Sequence, residues 1–424
     1  MNRQEFSVGG IARYSGVTEG GLTVHVFPRS GFRTKYACFA VKYGGCDRRF
    51  RTDGGWRDTP AGVAHFLEHK MFEMPGYTAI EKLTSLGARP NGFTSSDKTG
   101  YIFTCTENFM ASLAELLTFV MTPYFTVESV AKEQGIIGQE IRMGEDEPAR
   151  QARLELMRAL YREHPIREAT VGTAESIAQI TPELLYEIHG TFYRPDDMVL
   201  CCAGDVDPEA IFDLASRLVP AGPGRKLPER DYGGADGPLP EKLRVEKRMS
   251  VSMPVFLLGS KLAFPPDGRD WARKLLLAEL SCRLLLGEGS PLYGVMLDEG
   301  LINAGFSSGY TDFPVGGIVC AGGRSRQPQA VLGRIVDAAE DFRLDGEAQA
   351  RFRRLQKAAL GNFIMELDSL SGLCHTQADG TVCGWDPMAF PDLCRALEPE
   401  EAEAFLREYF RADRLALSVI APQS

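Results

Sequence analysis

The sequence predicts an α+β fold of two homologous domains, each a mostly antiparallel sheet with helices packed on one face. Three observations lead there. Strand patterns that neighbour one another in sequence are followed by grouped helical patterns, the order of an α+β layer and not of a doubly wound parallel sheet. A Pro/Gly-rich stretch from Val219 to Pro240, without hydrophobic period, divides the 424 residues into halves of similar length. The halves also close alike. Thr191-Phe-Tyr-Arg194-Pro-Asp196 leads into the apolar run ending at Ala203, and Glu408-Tyr-Phe-Arg411-Ala-Asp413 leads into the one ending at Ala421. In both, aromatic residues and an Arg-x-Asp turn hand a helix end over to a buried strand.

The first half reads in order as strands at Val24–Phe27 and Tyr36–Tyr43, helices at about 60–73 and 77–87, strands at Asn91–Ser96 and Tyr101–Thr106, and then long helices. For the first helix Asp58 or Thr59 is the expected cap, Pro60 suits its first turn, and Pro75-Gly76 stops it. The second half opens on a strand over Val255–Phe264 and an amphipathic helix from about Trp271 to Leu286. The domains expected are residues 1–222, a linker at 223–240, and 241–424.

Composition narrows the function. With 47 Lys+Arg against 57 Asp+Glu, a net charge of −10 and no basic run, nucleic acid held by phosphate neutralisation is excluded as a partner. The leucine clusters at 275–277 and 284–286 are interrupted by Glu279 and Arg283, so no membrane span is expected. Nor does the Met1-Asn-Arg-Gln-Glu-Phe start have a signal-peptide core, and the expected location is cytoplasmic. Ten cysteines without a C-x-x-C pair read as reduced, buried thiols.

The chemistry concentrates in His65-Phe-Leu-Glu68-His69. On a helix His65 and His69 are i and i+4, so both imidazoles project from one face, as two ligands of one metal ion require. Glu68 lies beside them, where a carboxylate can take a proton from an activated water without being a ligand. The H-x-x-E-H order is the inverzincin signature. A third ligand is required, and the helix Val127–Met143 presents Glu133 and Glu140 two turns apart on one face, beside an apolar stripe of Ile136, Ile137 and Ile141. Taken alone, that Glu pair reads more readily as a solvated helix face than as part of a site.

The run His-Phe-Leu-Glu-His-Lys-Met-Phe-Glu, then Asn91-Gly-Phe-Thr-Ser95 with Thr99-Gly-Tyr101, then Glu133 and Gln-Glu140-Ile, resembles the pitrilysin/insulinase family of zinc metallopeptidases over most of the chain. It is most similar to that family's half-length bacterial zinc-bearing subunits, in which two homologous α+β domains form a half-clamshell. The resemblance implies Zn2+ held by His65, His69 and Glu140, with Glu68 as general base and Glu133 as an acidic residue supporting the catalytic site. It implies that Asn91, Gly92, Phe93 and Thr94 form an edge strand pairing with the backbone of a peptide substrate.

One departure matters. Where the family's second half carries an Arg and, about a dozen residues on, a Tyr that hold substrate and its oxyanion, this chain has Pro291 and Asn303. The expectation is a zinc-dependent endopeptidase or oligopeptidase subunit acting on unfolded peptides. It would form a heterodimer with a zinc-less homologous subunit carrying the Arg/Tyr pair, or a homodimer in its absence. The alternative is a catalytically weak or inactive peptide-binding or assembly subunit of the same fold. Gly287-Glu-Gly289 reads as a plain loop and Cys374-His375 with Cys383 as structural, while His25 and His189 show no partner and His164 reads as a helix end. Arg324 and Arg326 read as surface residues.

Overall fold

The computed structural model describes residues 1–6, 10–222, 226–234, 236–265 and 267–423. Residues 223–225 and 235 of the expected linker lie outside them. The chain divides into two compact units, each gathered from three segments: Met1–Glu140, Ala169–Asp231 and Asn362–Met388 in the first, and Ile141–Glu168, Tyr232–Gly361 and Ala389 onward in the second.

The first unit is built on seven strands: β1 (Asn2–Phe6), β2 (Ile11–Val17), β3 (Thr23–Pro28), β4 (Lys35–Val41), β5 (Arg89–Thr94), β6 (Thr99–Cys105) and β7 (Met198–Gly204). Their order is β1-β2-β3-β7-β4-β6-β5. The second unit's five are β8 (Arg244–Met249), β9 (Val255–Lys261), β10 (Ser307–Phe313), β11 (Gly316–Arg324) and β12 (Ala416–Pro422), in the order β8-β12-β9-β11-β10.

The two orders superpose: β3-β7-β4-β6-β5 answers to β8-β12-β9-β11-β10. In both, the strand after the Arg-x-Asp turn inserts parallel to one neighbour and antiparallel to the other. Arg194 forks onto Asp196 at 3.0 and 2.7 Å, and Arg411 onto Asp413 at 2.9 and 2.7 Å. The same bidentate pair thus closes the same turn twice, and the α+β reading of a repeated unit holds.

The helices that position the site are α1 (Val63–Met71), α2 (Phe109–Met121), α3 (Val127–Glu145), α4 (Pro148–Leu160) and α5 (Leu370–Cys383). Phe72, just past α1, and Phe119 of α2 pack on Tyr101 of β6, so α1 and α2 lie on one face of the first sheet. On its other face a single helix, α5, lies over β4 and β7. It reaches the sheet from the far end of the chain. In the second unit α4, from the first half of the sequence, lies correspondingly on β9 and β12. The second core gathers Phe256, Leu258, Trp271, Cys282, Val319 and Leu406.

Two local readings require correction. Helix α1 begins at Val63, not near Pro60, and neither Asp58 nor Thr59 caps it. Asp58 ends a strand, Gly55–Asp58, paired with Arg49–Thr52, and the Thr59 hydroxyl donates to the Arg48 carbonyl at 3.0 Å. The N-cap is Gly62 at φ 96°, a left-handed conformation suited to glycine, and a Cβ there would lie 2.8 Å from the Val171 carbonyl. His25 and His189 do have partners: His25 meets the hydroxyls of Ser15 (2.8 Å) and Thr381 (3.2 Å), and His189 meets the Val120 carbonyl (3.0 Å). His164 caps the short turn Pro165–Arg167, accepting from the Ile166 amide at 3.1 Å.

Among the described residues no disulfide forms, and no helix is long and apolar enough to cross a membrane.

Candidate metal centre

Helix α1 is buried along almost its whole length, which fixes its rotation and with it the direction of the two histidines. His65 and His69 lie one turn apart, their rings tilted by 55° with centroids separated by 4.5 Å. Across from them α3 presents its two glutamates. Glu133 Oε1 lies 3.0 Å from His69 Nδ1. Glu140 places Oε1 at 3.6 Å from His65 Nε2 and Oε2 at 4.0 Å from His69 Nε2. Among the described residues His65, His69 and Glu140 are the one His/Cys/Asp/Glu group whose ligand atoms all fall within 4.8 Å of one another.

The geometry fits a metal better than a hydrogen-bonded cluster. Separations of 3.6 and 4.0 Å are too long for hydrogen bonds. They approach the roughly 3.4 Å expected between two ligands of a tetrahedral ion with bonds near 2.1 Å. Two imidazole nitrogens and one carboxylate oxygen form a donor set that suits zinc.

Glu68 sits beside this group and is buried. Burial pushes its carboxyl up to about 7, the neighbouring His69 and a hydrogen bond from Thr94 pulling less strongly the other way. The Thr94 hydroxyl donates to Glu68 Oε2 at 3.4 Å. Gly92 comes closer still: a Cβ there would stand 2.2 Å from Glu68 Oε1, so any side chain at this position would push the carboxylate aside.

At His69 the Glu133 hydrogen bond is the leading cause of a raised pKa. Burial works to raise Glu133 itself, but that hydrogen bond with the charges of His69 and Lys70 outweighs it and holds the carboxyl below its ordinary range. The Lys70 ammonium is buried, pairs with Glu73, and lies 4.0 Å from Glu133 Oε2. Lys70 was invisible as a site residue in sequence. Its signal in the sequence is a cation directly after the H-x-x-E-H motif.

Asn91, Gly92, Phe93 and Thr94 all lie in β5, the edge strand of the first sheet, paired with β6 along one side. Gly92 and Thr94 face α1 and Glu68, and Phe93 faces away. Pro291 opens a helix, Pro291–Asp298, and the Asn303 side chain closes a turn by accepting from the Gly305 amide at 2.9 Å. Arg324 and Arg326 are exposed.

Comparison with known proteins agrees with this geometry. A family model described as insulinase, peptidase family M16, matches residues 54–174, and one described as the peptidase M16 inactive domain matches residues 179–359. The uncharacterized zinc protease YmfH of Bacillus subtilis is 34% identical over 417 residues, covering 95% of each chain. An M16-like peptidase from Alicyclobacillus acidocaldarius superposes with a TM-score of 0.91 at 33% identity, covering 97% of this chain and 99% of the other. The periplasmic protease PqqL of Escherichia coli shares the fold at 17% identity and a TM-score of 0.73, this chain spanning 48% of it. With both halves matched in order and a relative alike across nearly its whole length, the chain belongs to the insulinase family of peptidases, M16.

Proposed function

We propose that this chain is a zinc-dependent endopeptidase or oligopeptidase subunit that hydrolyses unfolded peptides at the centre formed by His65, His69 and Glu140. The reading is carried by the convergence of three ligand atoms within 4.8 Å beside a buried carboxylate and an unpaired strand edge. A bound zinc ion supplies Lewis acidity toward a peptide carbonyl and a water.

The remaining work falls to the protein. Glu68 takes a proton from the attacking water at its carboxylate and returns it to the leaving amide nitrogen, a task matched by a pKa of about 7. Thr94 orients that carboxylate. Glu133 keeps the proton of His69 on Nδ1 and so leaves Nε2 as the ligating atom. Main-chain groups of residues 91–94 pair with an extended peptide and read little of its side chains. In this reading the zinc-bearing domain is residues 1–222, joined through 223–240 to a homologous domain at 241–424.

Pro291 and Asn303 offer neither a guanidinium nor a phenol. We infer that support for the substrate and its oxyanion comes from a second half-clamshell, a zinc-less homologue with the Arg/Tyr pair, or a second copy of this chain where that homologue is absent. The same two residues favour the alternative of a peptide-holding or assembly subunit. Zinc content and cleavage of an unstructured peptide, measured for the chain alone and with such a homologue, separate the readings. Cleavage that Glu68→Gln abolishes while zinc is retained supports the enzyme. Vigorous cleavage by the chain alone removes the partner requirement, and zinc-free protein, or no cleavage in any combination, favours the holding subunit.

A further inference from the structure

Strand β5 has two faces, and only one belongs to the metal centre. Gly92 and Thr94 meet Glu68, whereas Phe93 turns to the opposite side of the sheet. There its ring lies so close over Gly100 of β6 that a Cβ at that position would be 2.3 Å from Phe93 Cζ. Behind Phe93 stands His375 of α5, the ring centroids 5.2 Å apart. The imidazole Nε2 is 2.8 Å from the Tyr36 hydroxyl of β4. One turn further along α5, Asp379 accepts an ion pair from Lys98 at 3.1 Å. Lys98 sits in the turn joining β5 to β6, where the Ser95 amide donates to the Lys98 carbonyl at 2.8 Å.

The helix is itself anchored. Arg13 of β2, buried, donates to Gln377 at 2.8 Å and forks onto Asp386 at 2.7 and 2.8 Å. Small residues on this side of the sheet, Cys38, Ala40 and Cys201, accommodate the helix. On its inner face the outer strand of the β5–β6 hairpin packs against α1, and without α5 its other face would have no backing helix among the described residues. Instead it is braced at two points by residues i and i+4 on one helix.

We propose that His375 and Asp379 are positioning residues that brace the β5–β6 hairpin from behind and set where β5 meets both the substrate backbone and Glu68. The proposal rests on the strand-pairing reading given above. It accounts for Cys374-His375, a sequence feature that the metal centre does not use.

The test uses the full chain, zinc-loaded and carrying Glu68→Gln so that peptide binds without being cut. His375→Ala, Asp379→Asn and the rescue variant His375→Gln are compared by hydrogen exchange over 89–94 and by the affinity of a labelled unstructured peptide. We expect exchange over 89–94 to quicken about tenfold, exchange over 109–121 to stay unchanged, and peptide affinity to fall about tenfold. Zinc affinity should hold within about twofold, and His375→Gln, which can still reach the Tyr36 hydroxyl, should recover part of both losses. Unchanged exchange overturns the brace. Faster exchange with unaltered peptide affinity overturns its positioning role and leaves a structural one. If His375→Ala fails to fold, Tyr36→Phe removes only the hydroxyl, and unchanged exchange and affinity in that variant likewise overturn the proposal. Failure of the parent protein to bind extended peptide, before any change at 375 or 379, overturns the strand-pairing reading and this inference with it.

Discussion

His69 Nδ1 lies 3.0 Å from Glu133 Oε1, while His69 Nε2 faces Glu140. In the proposed site one carboxylate would hold the proton on Nδ1, and the other would share the metal with the nitrogen left bare. Removing the first should weaken the site without dismantling it. Glu133→Ala is expected to lower zinc affinity about 10- to 100-fold while leaving the circular dichroism spectrum unchanged, measured by competition with a chromophoric chelator.

Glu140 lies directly in the ligand group, so its loss should be the heavier one. Glu140→Ala leaves two imidazoles and is expected to cost more zinc affinity than Glu133→Ala in the same competition assay. An equal or smaller loss would show that Glu140 is not the third ligand.

Gly92 tests the approach of the edge strand to the base. A methyl group there would stand 2.2 Å from Glu68 Oε1 and 3.1 Å from the Phe72 ring, so the carboxylate must leave its place. Gly92→Ala is expected to destabilise the fold by about 1–3 kcal/mol and to abolish peptide cleavage while bound zinc stays stoichiometric. Urea denaturation and metal analysis give the two readouts.

Two buried histidines outside the ligand group contribute stability that is lost in mild acid. Burial lowers His25 and His189 to about 4. Between that value and the ordinary 6.5 the unfolded chain binds protons that the folded chain does not. The contribution of each is therefore complete above about pH 6.5 and is lost as pH falls toward 4, by about 3 kcal/mol, while Glu68 and His69, both raised, work the other way. His189→Gln should remove one such term, so the urea midpoint at pH 5, relative to that at pH 7.5, should be higher in the variant than in the parent.

What was legible in the sequence follows from how local each cause is. The H-x-x-E-H pattern becomes geometry through the helical repeat alone; the same repeat puts Glu133 and Glu140 on one face, but only the family resemblance marks Glu140 as a candidate ligand. Strands β3 to β6 were legible from their alternation and β-branched or aromatic residues. The start of α1 was not, because it depends on Asp58 pairing in a strand and on the backbone angle of Gly62, both set by neighbours distant in sequence. Lys70 beside Glu133 and Thr381 beside His25 were hidden for the same reason. The repeat showed itself in its Arg-x-Asp turns, but the crossing of α4 and α5 left no mark, since an amphipathic helix does not declare which sheet it will cover.

That crossing bears on the order in which the molecule can be made. The helix that backs β4 and β7 and carries His375 is residues 370–383, so a ribosome must translate nearly nine-tenths of the chain before the first sheet can acquire it. Until then the nascent sheet presents Cys38, Cys201 and Phe93 uncovered on that side, and a fragment ending at the linker would keep them so. The strand proposed to meet peptide thereby gains its backing only after residues 370–383 are made, and a product truncated before them would carry the H-x-x-E-H motif without the helix that backs its sheet.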